Sequence, residues 1–266
     1  GKVNFEGNWT GDYGGAVSVY DVAGSVMNFA GETSFINNHS SVFGGAIDSW
    51  GGAANITFNG STLFSDNYVY GTTVNSPNYP EHVDDQHTRG GAINIGYLNP
   101  GASGVNLTFN GNTKFIGNYV IDPKNNFNAL GGAVSAYGNG GNYNYLMSFN
   151  GATTFDGNYV YSLTGSGYGG AIYYDAGTAA TLNLGPGSSV INNYAKTLGG
   201  AIYLQTGTIN LKAEGGDITF EGNRQAASFT SIGGGLFAPV IGSGNPNAIY
   251  LGSTGSLNMN TSANNA

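Results

Sequence analysis

Apolar and polar residues alternate with a period of two in short runs along the whole chain. The runs are Met27/Phe29, Ile56/Phe58, Leu107/Phe109, Met147/Phe149, Leu182/Leu184, Ile209/Leu211 and Ile249/Leu251, with Asn, Thr, Ser or Tyr between the apolar positions. Such alternation describes a strand with one buried face. Val17/Val19, Ile93/Ile95 and Ile202/Leu204 continue the pattern after Gly-Gly-Ala runs. No window has the stripe of an amphipathic helix, so the chain reads as all-β.

Two tetrapeptides punctuate these strands. Gly-Gly-Ala followed by Ile or Val starts at 14, 44, 90, 131, 169 and 199, with a variant GGGL at 233. Phe-x-x-Asn starts at 5, 35, 64, 115, 155 and 220, with variants VINN at 190 and LNMN at 257. A third element, Phe29, Phe58, Phe109, Phe149, Leu184 or Leu251, stands six residues before most of the latter. Each unit thus supplies three short strands that cannot bury an apolar face alone and must stack on neighbouring units. The architecture this predicts is a right-handed parallel β-helix of about eight coils, one domain over 1–266, roughly 40 Å long at ~4.8 Å per coil.

Within that frame Phe35, Phe64, Phe115 and Phe155 point inward and stack from coil to coil. Asn38, Asn67, Asn118 and Asn158 end their strands and form an amide ladder that continues through Asn193 and Asn223. Gly44 and Gly45 supply positive φ and close backbone approach, and Ala46 fits a narrow corner. These motifs are folding devices first. The link from Phe-x-x-Asn to Gly-Gly-Ala is nine residues in three repeats and longer elsewhere, so the segments 68–89, 119–130 and 159–168 are expected along one side of the rod, carrying its variable chemistry.

Composition narrows the function. The 266 residues include 47 Gly and only 8% charged residues, with 40% hydrophobic, enough to fold but unlike an ordinary globular domain. A formal charge of −8 repels phosphate backbones and anionic lipid, which argues against nucleic acid as a partner. There is no Cys, so disulfides and thiolate metal sites are excluded, and the charge-poor surface points to an extracellular or bacterial cell-surface setting. No apolar run is long enough to insert in a membrane as a helix.

The sharpest chemical candidate is PEHVDDQHTRGG at 80–91, which brings Glu81, His82, Asp84, Asp85, His87 and Arg89 into one loop. Carboxylates and imidazoles at that density suit Ca²⁺ or Zn²⁺, with Ca²⁺ the cofactor expected at this loop, or the acid and base of a polysaccharide lyase. The spacing matches no metal signature, and a solvated loop explains a charge run as well, so no catalytic residue is assigned. Two aromatic columns are further candidates for binding. One follows the strand-ending Asn at Tyr68, Tyr119, Tyr159 and Tyr194; the other occupies the outward position after Gly-Gly-Ala at Tyr173, Tyr203 and Phe237. Such columns bind sugars or proteins, or simply stack on one another.

Interleaved Gly-Gly-Ala-[Ile/Leu/Val] and Phe-x-x-Asn, as in Gly44 to Ile47 and Phe35 to Asn38, resemble the polymorphic membrane proteins of chlamydiae. These are surface autotransporters whose passenger domains carry both tetrapeptides many times. Val190, Leu257 and Gly235 depart from the pattern. The resemblance implies a β-helical passenger displayed on the cell surface, an adhesin toward a host-cell or matrix protein or glycan. The family's C-terminal membrane barrel is not recognisable in this sequence. Without recognisable polar caps over its end coils, the rod also admits a second expectation, subunits stacking head to tail into an extracellular filament.

Overall fold

The computed structural model describes residues 1–20, 24–51, 54–71, 87–98, 104–123, 127–138 and 143–260. Its sheets are almost wholly parallel, and strands pair with their counterparts in the neighbouring coils, which is the arrangement of a parallel β-helix. Among the described residues no helix is long and apolar enough to cross a membrane.

The first sheet collects the Phe-x-x-Asn strands in order: Lys2–Glu6, Glu32–Ile36, Thr62–Ser65, Thr113–Ile116, Thr153–Asp156, Ser189–Ile191 and Thr219–Glu221. Register places Phe5, Phe35, Phe64, Phe115, Phe155, Val190 and Phe220 in a single column. The column is inward, and its rings stack face to face at 4.7 to 4.8 Å from Phe5 to Phe155. Phe29, Phe58, Phe109 and Phe149 form a parallel stack at 4.5 to 4.9 Å. The two stacks meet edge to face, as in Phe64 against Phe109 at 6.2 Å and 85°. Burying each ring contributes roughly 1.5 to 3 kcal/mol, and offset or edge-on geometry adds to that.

The strand-ending Asn residues are sealed, with Asn38, Asn67, Asn118, Asn158 and Asn193 all buried. Asn67 Nδ2 donates to Asn118 Oδ1 at 3.0 Å and to the Phe35 carbonyl at 2.9 Å, while its backbone N–H donates to the same Asn118 Oδ1 at 3.0 Å. The residue before each Asn sits in the left-handed region: Gly7, Asn37, Asp66, Gly117, Gly157, Asn192 and Gly222 all have φ between 52° and 66°. Only Gly, Asn and Asp occur there, the residues that tolerate this conformation best.

A fourth strand, beyond the three the repeat predicts, follows the Asn at Trp9–Thr10, His39–Ser40, Tyr68–Tyr70, Tyr119–Asp122, Tyr159–Ser162, Tyr194–Ala195 and Arg224–Gln225. In the long coils the link returns as a further parallel ladder of His87–Arg89, Asn128–Leu130 and Gly167–Tyr168. These strands form because they enclose a second small core of Val69, Val120, Ala129, Val160 and Ala195. The described parts of the long links therefore do cluster on one side of the rod, in the 87–91 part of which the solvated-loop reading gives way to a buried strand.

Two sequence assignments near the end change. The GGGL at 233 is not a corner of the helix: it turns an antiparallel hairpin, Phe229–Gly233 with Leu236–Pro239. All three glycines there have positive φ, which suits a hairpin turn, whereas the third residue of the helix corner is an Ala. The corner of that coil is Asn247, Ala248 and Ile249 instead, since Ala201 N and Ile202 N both donate to the Ala248 carbonyl. LNMN at 257 likewise is not a Phe-x-x-Asn strand. Ile249–Asn260 runs continuously beside Ile202–Lys212, pairing Leu251 with Leu204 and Leu257 with Ile209. Leu257 therefore continues the column of Met27 and Ile56, and Met259 that of Phe29 and Phe58, one strand earlier than the tetrapeptide suggests.

Candidate binding groove at the glycine corner

Each Gly-Gly-Ala turns the chain sharply because its first glycine takes φ of 60° to 68° and its second has no room for a side chain. A Cβ on Gly91 would lie 2.6 Å from Tyr119 N and closer still to the Gly132 carbonyl oxygen. The turn brings two outward columns together. Before the corner stand Tyr13, Phe43, Arg89, Leu130, Tyr168 and Leu198. After it stand Ser18, Asp48, Asn94, Ser135, Tyr173, Tyr203 and Tyr250.

In the middle coils the groove is polar and sealed. The Arg89 guanidinium, 0% exposed, lies 4.0 Å from the centre of the Phe43 ring and 4.4 Å from that of Tyr137. His87 meets the same Tyr137 edge-on at 5.2 Å. Asn94 Nδ2 donates to Asp48 Oδ1 at 2.8 Å, and Asp48, Asn94 and Ser135 are all buried. Burial pushes the Asp48 carboxyl up to about 7, against the opposing pull of the Asn94 hydrogen bond and the Arg89 charge. Gly96, in register between Trp50 and Tyr137, makes the space: a Cβ there would come within 3.4 Å of Arg89 Nη1 and 3.0 Å of Asn94 Nδ2.

Toward the C-terminal coils the same groove becomes aromatic. Tyr173 stacks on Tyr203 at 5.3 Å, Tyr203 on Tyr250 at 4.9 Å, and Tyr168 leans on Tyr203 from across the corner at 4.9 Å. Tyr203 OH donates to Gln205 Oε1 at 2.7 Å. Burial raises the phenol pKa of Tyr173 and Tyr203, so these hydroxyls stay protonated at neutral pH.

The second aromatic column is longer than the sequence reading drew it. Trp9, His39, Tyr68, Tyr119 and Tyr159 stack in order at 6.0, 4.6, 4.9 and 4.9 Å. Trp9 and His39 follow Asn8 and Asn38 as the tyrosines follow their Asn, and that shared position was the signal for them. Tyr194 departs from the stack: it is buried, and its hydroxyl accepts from Gly242 N at 3.3 Å. Because the rings face one another, the column offers ring edges and hydroxyls to solvent, with Trp9 70% exposed at its end.

Of the candidate residues, Arg89, His87, Tyr173 and Tyr203 converge on the glycine corner. Phe237 does not belong there: it sits in the hairpin and stacks at 4.4 Å on Tyr161, which Phe229 of the same hairpin meets at 4.9 Å, and Tyr250 takes its place in the column. The hairpin thereby lies against the strand Tyr159–Ser162 of a long link. Glu81, His82, Asp84 and Asp85, with the suggested Ca²⁺ loop, lie outside the described residues. Among the described residues no three His, Cys, Asp or Glu side chains gather closely enough to hold a metal ion. Phe43, Asp48, Asn94 and Tyr137 were missed, although Asp48 and Asn94 occupy the position after Gly-Gly-Ala-Ile that singled out Tyr173 and Tyr203.

Neither a curated protein nor a solved structure matches the chain. Residues 152–175 match the model of the Chlamydia polymorphic membrane protein repeat, a family associated with the outer membrane and cell surface. That span holds the Phe155 strand, the buried Asn158, the link strand and the corner at Gly169 to Ile172. This coil, from the stacked Phe to the glycine turn, is similar to the Chlamydia polymorphic membrane protein repeat.

Proposed function

We propose that the chain is part of a surface-displayed adhesin passenger, and that it binds a host-cell or matrix protein or glycan through the aromatic end of the corner groove. The observation that carries this reading is the stack of Tyr173, Tyr203 and Tyr250 facing Tyr168. The folding motifs are used up inside the rod by ring stacks and the amide ladder, whereas this column varies from Asp48 through Ser135 to three successive tyrosines. Neutral hydroxyls and ring edges at one-coil spacing suit a partner rich in hydroxyls or aromatic side chains. The repeat at 152–175 supports the surface setting.

Binding rather than catalysis is the proposed mode, because Asp48 and Arg89, the acid and base that meet in the described part of the groove, are closed to solvent. Soluble protein should bind cultured host cells or arrayed glycans saturably. Replacing Tyr203 and Tyr250 by Ser should weaken that binding about tenfold, the loss expected when a central aromatic contact is removed. Binding that is absent, or unchanged in this variant while Tyr119→Ser abolishes it, overturns the assignment to the groove.

A further inference from the structure

The link into each Phe-x-x-Asn strand repeats one dipeptide at the same position of three coils: Asn59-Gly60, Asn110-Gly111 and Asn150-Gly151. Packing forces the glycine. A Cβ on Gly60 would lie 2.8 Å from Glu32 N, one on Gly111 2.9 Å from Ser61 N, and one on Gly151 3.0 Å from Asn112 N, each closer still to a carbonyl group of the coil beneath. A ladder holds the asparagine. Asn59 Nδ2 donates to Asn28 Oδ1 at 2.8 Å, Asn110 Nδ2 to Asn59 Oδ1 at 2.8 Å, and Asn150 Nδ2 to Asn110 Oδ1 at 2.9 Å. All three Asn side chains are exposed, and the N–H groups of Gly60, Gly111 and Gly151 donate to no acceptor among the described residues.

We infer that Asn150, Asn110 and Asn59 are sites of spontaneous deamidation, modified in that order. The glycine nitrogen attacks the Asn Cγ. The new N–Cγ bond forms as the Cγ–Nδ2 bond breaks, and the glycine proton leaves with the amide as ammonia, giving a succinimide. Water then opens the ring at either carbonyl to leave Asp or isoaspartate. The step needs an unhindered successor, which glycine supplies, and a backbone N–H free of other bonds, which all three sites have.

The order follows from the ladder. Asn59 and Asn110 are held at both ends, by the bond each donates and the bond each accepts, whereas Asn150 donates one and its Oδ1 accepts none. Asn150 is therefore the freest to turn toward the glycine nitrogen. Once it is a carboxylate it has no proton to donate to Asn110, so Asn110 is left held at one end only, as Asn150 was, and the change passes toward Asn59. The products add a column of negative charges to a chain that already carries a formal charge of −8.

The test is peptide mapping by mass spectrometry of the intact folded protein, incubated for weeks in mildly alkaline buffer at physiological temperature. Conversion should reach Asn150 first, then Asn110, then Asn59, while Asn55 and Asn106, exposed but followed by Ile and Leu, stay intact. In Asn150→Ser, Asn110 should convert several-fold faster than in the unmodified protein. Intact sites in the folded protein, while the same segments deamidate as free peptides, overturn the inference. An unchanged Asn110 rate in Asn150→Ser overturns the order.

Discussion

Two of the amide ladders among the described residues, one buried and one exposed, are strung in opposite directions. In the one through Asn38, Asn67, Asn118 and Asn158 each Nδ2 donates to the next coil, whereas in the one through Asn28, Asn59, Asn110 and Asn150 each Nδ2 donates to the coil before. The first is sealed and also serves the backbone, since Asn118 accepts from Asn67 N and donates to the Phe64 carbonyl. The second is exposed, and its bonds to protein are amide to amide only. The same residue and the same spacing thus do different work, because a hydrogen bond to a buried backbone group is costly to leave unmade and one in water is readily exchanged.

The comparison is tested most severely by Asn118→Ala, which takes the acceptor from Asn67 N and a donor from the Phe64 carbonyl in the interior. The expected loss is about 4 kcal/mol at ~1 to 3 kcal/mol for each unsatisfied group, read from denaturant unfolding. A loss no larger than that of an exposed Asn would erase the distinction between the ladders.

Amides do not titrate, so ladder variants should lower the stability–pH curve without changing its shape. Asp48 contributes a slope between about pH 4 and 7. A carboxyl whose folded pKa is raised to about 7 from 3.8 stabilises the fold fully below pH ~4 and loses that contribution as pH rises through about 7. Asp48→Asn should therefore flatten the curve and leave the variant about 4 kcal/mol more stable than the parent above neutrality, relative to their difference in acid. Parallel curves for the two proteins would show that Asp48 is not the neutral buried acid its surroundings require.

Smaller effects separate conformation from space. Gly157, beside the buried ladder, has φ of 66° and open room around its Cβ position. Gly157→Val should cost about 1 to 2 kcal/mol, while Gly157→Asn, the residue found at Asn37 and Asn192, costs a few tenths. Equal costs would mean that packing rather than backbone conformation chooses this position. Smallest of all, Asn110→Ala on the exposed ladder should stay within about 0.5 kcal/mol of the parent.

The stacked rings and the buried ladder were legible because each follows from a tetrapeptide whose neighbours in space are its own copies. Phe64 meets Phe35 and Phe115 whatever the length of the chain between them. The same logic fails where a tetrapeptide recurs without its context. LNMN at 257 has the spacing but belongs to a strand that continues unbroken from the preceding corner, and GGGL at 233 has the glycines but folds back on itself. The partners of Arg89 were illegible for another reason. Phe43 and Asp48 flank one corner while Asn94 and Tyr137 come from the next two coils, and only the insertion lengths decide which side chains share a level of the groove.

By itself the sequence determined the parallel β-helix, its inward Phe and Asn columns and its glycine corners, because a short periodic pattern can bury its apolar face only by stacking on itself. Tertiary structure alone decided that Arg89 lies sealed between two rings rather than in a solvated loop, that the aromatic column ends in Tyr250 rather than Phe237, and that one amide ladder is buried while the other faces water. Those outcomes depend on what covers each column, and cover comes from links and hairpins that the repeat does not specify.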